Sequence, residues 1–302
     1  MSILVTGGAG FIGSHLVDKF IANDYKTIVV DNLFSGKIEN VNPKAEFYNI
    51  DITKPDLEKV FEENKIEYIF HYAAQASVSI SEENPVLDAN SNIIGTINLL
   101  NFAKKYNVKK IITASTAAVY GNPNYLPVDE NHSINPLSFY GLSKLTMESY
   151  VKLSGIDYII FRFSNVYGPR QDVNGEAGVV SIFIDKFISE LPIDIHGDGK
   201  QIRDFIYVED LVNANILAIE SQATNQIMNI STNTASSILD LTEILSNSFN
   251  HKSQIRHINK RSEDIKESVL DNLKAQELLN WTPKINLNLG INLTITKNKT
   301  TF

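Results

Sequence analysis

The sequence predicts an α/β fold in which a doubly wound parallel sheet is followed by a smaller, mixed α/β C-terminal region. Two observations lead to this prediction. Short runs of β-branched and aliphatic residues recur through the first half of the 302-residue chain, and amphipathic segments of helical period separate them. Strands that alternate with helices at this spacing are typical of βαβ units on a parallel sheet.

The predicted elements follow from these runs in chain order. Strands are predicted over residues 3–5, 27–30, 68–71, 111–113 and 158–162, and helices over residues 13–21, 57–64, 86–106 and 140–153. After about Val166 the alternation weakens, and Gly, Asn and Pro become frequent. The sequence therefore predicts a first domain over residues 1–166, rejoined by roughly 204–231, and a second domain mainly over 167–302.

Charge and composition exclude several classes of function. The chain has 27 Lys and Arg against 35 Asp and Glu, a formal charge of −8, which argues against a nucleic-acid-binding surface. It contains no Cys, so disulfides, iron–sulfur clusters, Cys-ligated zinc and thiol nucleophiles are ruled out. The six His do not fall at metal-ligand spacings, so no metal is predicted.

No membrane association is expected either. Residues 111–128 are free of charge and long enough to span a bilayer, but Asn122, Pro123, Asn124 and Pro127 interrupt them. The first residues lack the basic segment of a signal peptide. The sequence therefore predicts a cytoplasmic protein.

A glycine-rich turn, Thr-Gly-Gly-Ala-Gly-Phe-Ile-Gly over residues 6–13, joins the first predicted strand to the first helix. Its Gly7, Gly10 and Gly13 allow a tight turn, close approach of backbone N–H groups to a pyrophosphate, and close packing of the helix on the strand. The positive end of that helix favours phosphate. This Rossmann-type context predicts a dinucleotide site, and the alternative is a glycine turn beside a surface aspartate.

The nature of the dinucleotide is indicated by Asp31, which ends the second predicted strand 18 residues after Gly13. A carboxylate at this place accepts hydrogen bonds from the adenosine ribose diol and repels a 2′-phosphate, so NAD is predicted rather than NADP. Asp51 and Ile52 follow a third strand-like run and are predicted to contact adenine.

A candidate chemical site is formed by Tyr140 and Lys144, which are four residues apart and therefore share one face of a helical turn. A phenol with its reference pKa of about 10 is a poor base near neutral pH, but a neighbouring ammonium and the positive nicotinamide ring favour the phenolate. The pair suits removal of a hydroxyl proton while hydride leaves the same carbon. Ser115 and Thr116 end a preceding strand and offer a hydroxyl to the same place; a chance Tyr–Lys spacing is the alternative.

Further segments extend the pattern along the chain. They are TGGAGFIG from residue 6, DNL from 31, HYAAQASV from 71, STAAVYG from 115, YGLSK from 140, RFSNVYGPRQ from 162, QIRDFIYVEDL from 201 and RSEDI from 261. From residue 2 to about 290 the chain resembles the extended short-chain dehydrogenase/reductases and, within that group, the NAD-dependent UDP-hexose 4-epimerases. The resemblance implies that the first domain binds NAD and that the second binds the nucleotide sugar.

The resemblance also implies roles for individual residues. Tyr140 is implied to be the base, Lys144 to position the nicotinamide ribose, and Thr116 to hold the sugar O4 hydroxyl. The implied NAD contacts are Gly7, Gly10, Phe11, Ile12, Gly13, Asp31, Asn32, Ser35, Gly36, Asp51, Ile52, Ala73, Ala74, Asn92, Tyr140, Lys144 and Ser164. The implied substrate contacts are Ala76, Ser115, Thr116, Asn165, Val179, His196, Gln201, Arg203, Arg261, Asp264 and Ser268.

Sugar specificity is implied by Ser268, which lies seven residues after Arg261. In the family this position lines the hexose pocket: Tyr there tends to restrict the enzyme to UDP-glucose and UDP-galactose, and a small residue also admits N-acetylated sugars. The resemblance therefore implies interconversion of UDP-GlcNAc and UDP-GalNAc, alongside or in preference to the plain hexoses. The departures from the family pattern are RSEDI in place of an Arg-Pro-Gly-Asp run, Ser164 in place of Phe and Ser181 in place of Pro.

Two other functions stay open at this point. Nucleotide-sugar dehydratases and decarboxylases begin with the same oxidation, but an acidic residue commonly follows their Thr or Ser, whereas Ala117 and Ala118 follow Thr116 here. A non-catalytic NAD-binding relative is expected to have lost Tyr140 or Lys144, and both are present. The resemblance also implies a homodimer in which predicted helices 86–106 and 140–153 pack as a four-helix bundle.

Overall fold

The computed structural model describes residues 1–173, 178–259 and 265–299. Within these ranges the strands are β1 (Ser2–Thr6), β2 (Lys26–Asp31), β3 (Glu46–Asn49), β4 (Tyr68–His71), β5 (Lys110–Thr116), β6 (Asp157–Phe163), β7 (Asn165–Tyr167), β8 (Ile193–His196), β9 (Ile202–Arg203), β10 (Phe205–Tyr207), β11 (Gln226–Ile230), β12 (Ser236–Ser237), β13 (Ile255–Ile258) and β14 (Glu267–Ser268). The α-helices are α1 (Phe11–Ala22), α2 (Glu58–Glu63), α3 (Val78–Glu83), α4 (Pro85–Ala89), α5 (Gly95–Lys105), α6 (Phe139–Leu153), α7 (Val179–Ile188), α8 (Val208–Glu220), α9 (Ile238–Phe249), α10 (Leu273–Leu279) and α11 (Leu287–Lys299).

A parallel sheet with strand order β11-β6-β5-β4-β1-β2-β3 organises the protein. Both of its faces are covered, which explains why the central strands are continuous apolar runs rather than alternating ones. On β1, Ile3 and Val5 belong to the apolar cluster on one face, which α1 and α8 also line, whereas Leu4 belongs to the cluster lined by α2 and α5. The predicted Rossmann-type, doubly wound sheet is confirmed.

The strand order places a crevice between β1 and β4. From β1 the chain runs outward to β2 and β3 on one side, and then returns to β4 and continues to β5 and β6 on the other. In open sheets of this type, ligands bind outside the carboxyl ends of the strands at the point where the order reverses. The residues that follow β1 and β4 therefore face each other across the candidate site.

The helix predicted over residues 86–106 is not uniform. It begins at Pro85, where the side chain of Asn84 accepts a hydrogen bond from the Leu87 N–H at 3.0 Å, and a wider π turn, Asn90–Ile94, separates α4 from α5. Asn92 lies in this turn with its side chain buried. The prediction of one regular helix is wrong here, because apolar periodicity does not report an inward-facing amide that needs hydrogen bonds.

The helix predicted over residues 140–153 begins one residue earlier, at Phe139. Ser138 caps it by accepting a hydrogen bond from the Gly141 N–H at 3.1 Å. This cap fixes the first turn of α6, and that turn carries Tyr140.

The C-terminal part combines small sheets with helices, as the sequence predicted. Strands β12, β9 and β14 form one small sheet, β13 pairs with β8, and β10 pairs with β7. The buried Trp281 anchors this part to α8, because its indole N–H donates to the Asp210 carbonyl oxygen at 2.9 Å. Strand β11 leaves this region and adds to the edge of the main sheet beside β6.

No helix within residues 1–173, 178–259 or 265–299 is both long enough and apolar enough to cross a membrane.

Candidate active site

The turn between β1 and α1 packs so closely that a side chain on Gly7 or Gly13 would meet backbone atoms. Gly7 has a φ of 73°, and a Cβ on it would lie 2.5 Å from the Ala73 nitrogen, across the crevice in the segment after β4. A Cβ on Gly13 would overlap the Gly7 carbonyl oxygen. The first turn of α1 is therefore held against the end of β1, with its N-terminus directed at the crevice.

Asp31, at the end of β2, is buried and firmly oriented. Its carboxylate accepts hydrogen bonds from the Ala9 and Leu33 N–H groups, both at 2.9 Å, and burial raises the pKa of this carboxyl. A Cβ on Gly36 would lie 2.7 Å from the Asp31 carboxylate, so the loop after β2 passes directly over it. Two N–H bonds leave further lone pairs on the carboxylate for a ribose diol.

The residues predicted to contact adenine lie together beside this carboxylate. The Asn32 amide donates to Asp51 at 3.3 Å, and the Thr53 N–H donates to the other Asp51 oxygen at 2.8 Å. Ile52 is buried, and a Cβ on Gly95 would lie 2.6 Å from its Cδ1. The loops after β2 and β3 thus form one continuous rim at this end of the crevice. Ser35, in the loop after β2, lies on the same rim between Asn32 and Gly36.

A buried hydrogen-bond chain supports the floor of the crevice. The Ala73 N–H donates to Thr6 Oγ1 at 3.3 Å, and Thr6 Oγ1 lies 2.8 Å from His71 Nδ1. His71 Nε2 lies 2.8 Å from Thr96 Oγ1, which itself donates to the Asn92 carbonyl oxygen at 2.7 Å. Since the Thr96 hydroxyl proton is donated to the Asn92 carbonyl, His71 must donate to Thr96 from Nε2. In the neutral ring, Nδ1 then accepts from the Thr6 hydroxyl.

The surroundings of His71 favour its neutral form. Burial, with the charge of Lys144 adding to it, lowers the pKa of this imidazole to about 3. The residue opens the motif HYAAQASV, but sequence reasoning assigned it no role. Its position as the last residue of β4 was the available signal, because the ends of strands at this edge of the sheet border the site.

Asn92, predicted to contact NAD, is held in a second buried network. Its Oδ1 accepts from the Gln75 N–H at 2.8 Å, and its Nδ2 lies 3.0 Å from Asp88 Oδ1 and 2.9 Å from Ser143 Oγ. Ser143 lies between Tyr140 and Lys144 and donates to the Tyr140 carbonyl oxygen at 3.1 Å. The π turn therefore ties the loop after β4, which carries Ala74 and Ala76, to the first turns of α6.

Tyr140 and Lys144 occupy successive turns of α6 beside the end of β5. Tyr140 is half-buried, whereas Lys144 is 4% exposed, with its Nζ 3.9 Å from the Met147 sulfur. A Cβ on Gly141 would lie 2.9 Å from the Ala118 carbonyl oxygen, so this turn of α6 packs on the segment directly after Thr116. The first turns of α6, which carry Tyr140 and Lys144, thus lie at the end of β5 that carries Thr116.

Ser115 and Thr116, neighbours on a strand, have different surroundings. Thr116 is half-buried, and its Oγ1 accepts a hydrogen bond from the Ala118 N–H at 3.2 Å. The buried Ser115 donates its hydroxyl to Glu148 of α6 at 2.5 Å. Successive side chains on a strand point to opposite faces, so the hydroxyl of Ser115, predicted to contact the substrate, is directed to the interior beside α6.

The predicted diphosphate region is organised around Asp204, which sequence reasoning missed. This buried carboxylate accepts from the Thr232 N–H at 2.9 Å, the Thr232 hydroxyl at 2.7 Å and the Asn233 N–H at 3.0 Å. Its backbone carbonyl accepts from the Asn165 N–H at 2.9 Å. Burial raises the pKa of Asp204. Its side chain also lies 3.4 Å from the hydroxyl of Ser164, which is thereby turned toward the interior.

The strand β9 brings several predicted substrate residues together. Arg203 pairs in register with Ser268 of β14 on one side and with Ser236 of β12 on the other. The Gln201 amide donates to the His196 carbonyl oxygen at 3.1 Å, and His196 Nδ1 lies 2.9 Å from the Asn259 carbonyl oxygen. Val179, also predicted to contact the substrate, is the first residue of α7. Arg261 and Asp264 lie outside the described residues.

Phe11 and Ile12 open α1, where Phe11 is buried in the core and Ile12 packs against it.

Among residues 1–173, 178–259 and 265–299, no group of three or more His, Asp and Glu side chains is arranged to hold a metal ion.

Comparison with known proteins adds to this geometry. Residues 3–231 match the model of a family described as the NAD dependent epimerase/dehydratase family. A protein of Methanocaldococcus jannaschii, whose name assigns it provisionally as a UDP-glucose 4-epimerase, is 50% identical over 294 residues, which are 96% of this chain and 95% of that protein.

Two solved structures share the whole fold. The UDP-glucose 4-epimerase of Thermotoga maritima, solved with UDP-glucose, is 44% identical, with a TM-score of 0.97 over 100% of this chain and 99% of that one. The UDP-N-acetylglucosamine 4-epimerase of Methanobrevibacter ruminantium, solved with UDP-N-acetylmuramic acid, is 34% identical, with a TM-score of 0.93 over 100% of this chain and 99% of that one.

Proposed function

Because the chain belongs to the NAD dependent epimerase/dehydratase family, we propose that it interconverts UDP-hexoses that differ in configuration at C4. The observation that carries the proposal is the position of Tyr140 and Lys144 on one face of α6, in the turns around Gly141 that pack on the segment after Thr116. This acid–base group lies beside a crevice with the features of a dinucleotide site. Relatives that use UDP-sugars match the chain over nearly its full length.

The crevice fits NAD in three respects. The glycine turn can pack tightly between β1, α1 and the segment after β4 only because Gly7 and Gly13 lack side chains. The N-terminus of α1 supplies free N–H groups and the positive end of the helix dipole. Asp31 presents an oriented carboxylate. It follows the glycine turn at the sequence spacing at which an acidic residue binds the ribose diol in this fold.

In the proposed reaction, NAD held in the crevice would supply the hydride acceptor and donor for C4 of the hexose, and the residues of this chain would handle the O4 proton and the position of the sugar. Tyr140 accepts the O4 proton as the hydride leaves, and it donates the proton back when the hydride returns. Lys144 favours the phenolate through its charge, and Thr116 holds O4 by hydrogen bonding. Arg203, Arg261 and Asn165 hold the diphosphate while the hexose turns over, so that both faces of C4 reach the same base.

A dehydratase or decarboxylase reaction is the alternative within the same family. Both need a further acid or base near C4–C6 to eliminate water or to assist loss of carbon dioxide. The residues after Thr116 are Ala117 and Ala118, which cannot transfer a proton. This absence favours epimerisation, in which the oxidation is simply reversed.

Purified protein tested with UDP-glucose and UDP-GlcNAc separately should give the C4 epimer of the sugar without added NAD. Separation of the products by chromatography distinguishes the epimer from a dehydrated or decarboxylated sugar. No net NADH should accumulate, because the hydride is taken and returned within one cycle. Stoichiometric release of NADH would contradict the proposal and indicate a dehydrogenase.

The substitution Asp31→Asn should lower the affinity for NAD by about tenfold and reduce the preference for NAD over NADP, because it removes the negative charge that binds the diol and repels a 2′-phosphate. Titration of the apo-protein with each dinucleotide measures both effects. Asp24→Asn is a matched control, since Asp24 is exposed at the opposite end of β2. Equal loss of affinity for NAD and NADP would contradict the role given to Asp31.

The substitution Ser268→Tyr should suppress epimerisation of UDP-GlcNAc by about 10- to 100-fold and spare UDP-glucose, since overpacking costs about 1–3 kcal/mol. The half-buried Ser268 pairs with Arg203, which places it beside the proposed diphosphate contacts. A phenol at this point competes with an acetamido group for space. Ratios of kcat/KM for the two sugars measure the change.

The control for this substitution is Ser236→Tyr, the same replacement on the strand at the other side of Arg203. It should affect both sugars alike. If Ser268→Tyr also lowers both activities equally, or if the wild-type protein does not accept UDP-GlcNAc, then Ser268 does not set the specificity.

We also propose a homodimer in the cytoplasm. The outer surface of α4 and α6 carries apolar side chains that the single chain leaves uncovered, among them Val86 (68% exposed) and Leu142 (51% exposed). Apolar surface of this kind is typical of helix–helix interfaces. Light scattering should give the mass of a dimer, and Leu142→Asp should give a monomer. A wild-type monomer at micromolar concentration would contradict this assembly.

A further inference from the structure

An ion pair lies inside the protein directly behind the proposed catalytic group. Arg162 of β6 donates to Glu148 of α6 through Nε at 2.9 Å and through Nη2 at 2.7 Å. The two side chains are 4% and 0% exposed. Burial of such a pair costs solvation free energy that apolar residues of similar volume avoid, so stability alone is a weak reason for its presence.

A third group, the Ser115 hydroxyl of β5, joins the ion pair. The Ser115 hydroxyl donates to the same Glu148 oxygen that accepts from Arg162 Nε, at 2.5 Å. Ser115 and Arg162 are register partners on β5 and β6. The Glu148 carboxylate therefore fixes α6 to both strands at one level of the sheet.

The Glu148–Ser115 hydrogen bond lies next to the residues of the proposed reaction on both α6 and β5. Glu148 lies four residues after Lys144 and eight after Tyr140, so the three side chains share one face of α6. Ser115 directly precedes Thr116 on β5. A rotation or slide of α6 against β5 would change the distance from the phenol to the Thr116 hydroxyl, and the Glu148–Ser115 hydrogen bond opposes both movements.

The other side of the ion pair is fixed as well. The Tyr120 ring lies 4.8 Å from the Arg162 guanidinium carbon, and the Tyr120 hydroxyl donates to Asn229 at 2.7 Å. Tyr120 follows the short turn Ala117–Val119 that begins after Thr116. The guanidinium is thus held between the carboxylate and the segment that carries the proposed O4 contact.

We propose that Glu148 is a positioning residue for the reaction: through Ser115 and Arg162 it sets α6 in the register with β5 that aligns Tyr140 and Lys144 with Thr116. The inference rests on the proposed function. It assigns Ser115 to the alignment of the site rather than to the sugar.

Ser115→Ala tests the proposal with the smallest change, because it removes one hydrogen bond and leaves the ion pair and Thr116 intact. We expect kcat to fall about tenfold, since displacements below 1 Å in a catalytic group have effects of this order, while KM and the NAD content stay within twofold of wild type. Ser115→Thr, which keeps the hydroxyl, should restore most of the rate. Thr242→Val is a control that removes another buried hydroxyl, which donates to the Leu239 carbonyl oxygen within α9.

A double substitution separates alignment from general stability. If Ser115 acts through Tyr140, then adding Ser115→Ala to Tyr140→Phe should change the residual rate by less than twofold, because the aligned phenol is already absent. Unchanged kcat with a lowered unfolding temperature would overturn the proposal, as would a tenfold loss that persists without the phenol. Each rate is compared with wild-type epimerisation, so failure of the proposed function appears separately, as an inactive wild type.

Discussion

Replacement of Tyr140 by Phe is expected to lower epimerase turnover by about 10²–10⁴-fold or more, because it removes only the group that takes the O4 proton. The phenol is half-buried at the start of α6, and the ring that remains fills the same space. The fold and the NAD content should therefore stay as in wild type. Turnover is measured with UDP-glucose and UDP-GlcNAc, and NAD is quantified after release from the denatured protein.

Tyr150→Phe provides the matched control for this variant. Tyr150 lies on the same helix, is 43% exposed and is assigned no contact with cofactor or sugar. It should keep wild-type turnover. Wild-type-like turnover in Tyr140→Phe would refute the assignment of the base, and loss of NAD in that variant would assign Tyr140 to cofactor binding rather than to proton transfer.

Replacement of Gly13 by Ala is the second variant with a large expected effect. The added Cβ would overlap the Gly7 carbonyl oxygen and approach Gly8 Cα to within 3.0 Å, and both are backbone atoms that cannot move independently of β1. Helix α1 must then move away from β1, which costs about 1–3 kcal/mol or more and opens the pyrophosphate turn. We expect NAD to be lost during purification and the unfolding temperature to fall.

Gly10→Ala is the comparison variant, because its added methyl group crowds the protein much less than the one in Gly13→Ala does. A Cβ on Gly10 would lie 3.2 Å from the Gly7 carbonyl oxygen, a contact that a shift of a few tenths of an ångström relieves. Without NAD this variant should unfold at a temperature closer to wild type than Gly13→Ala does. Equal unfolding temperatures for the two variants, or full NAD content in Gly13→Ala, would contradict this account of the turn.

Much of the fold was predictable because its signals are local. The strands around Ile3–Val5 and Ile69–Phe70 are apolar runs buried on both faces, and such runs are visible in the sequence itself. The glycine turn was predictable for the same reason, because its four glycines all lie within residues 7–13. The π turn at Asn90–Ile94 was not predictable, because it depends on partners that approach Asn92 from α4 and α6.

The sequence by itself determined the parallel sheet, the dinucleotide turn with Asp31, and the pairing of Tyr140 with Lys144, since each depends on spacing within one or two adjacent elements. Only the tertiary structure decided which of two neighbouring hydroxyls is turned to the interior. It turns Ser115 inward to Glu148, 33 residues further along the chain, and leaves Thr116 half-buried at the end of β5. The physical reason is that a buried carboxylate must be neutralised and hydrogen-bonded where it lies, and its partners come from whichever strands the packing brings there.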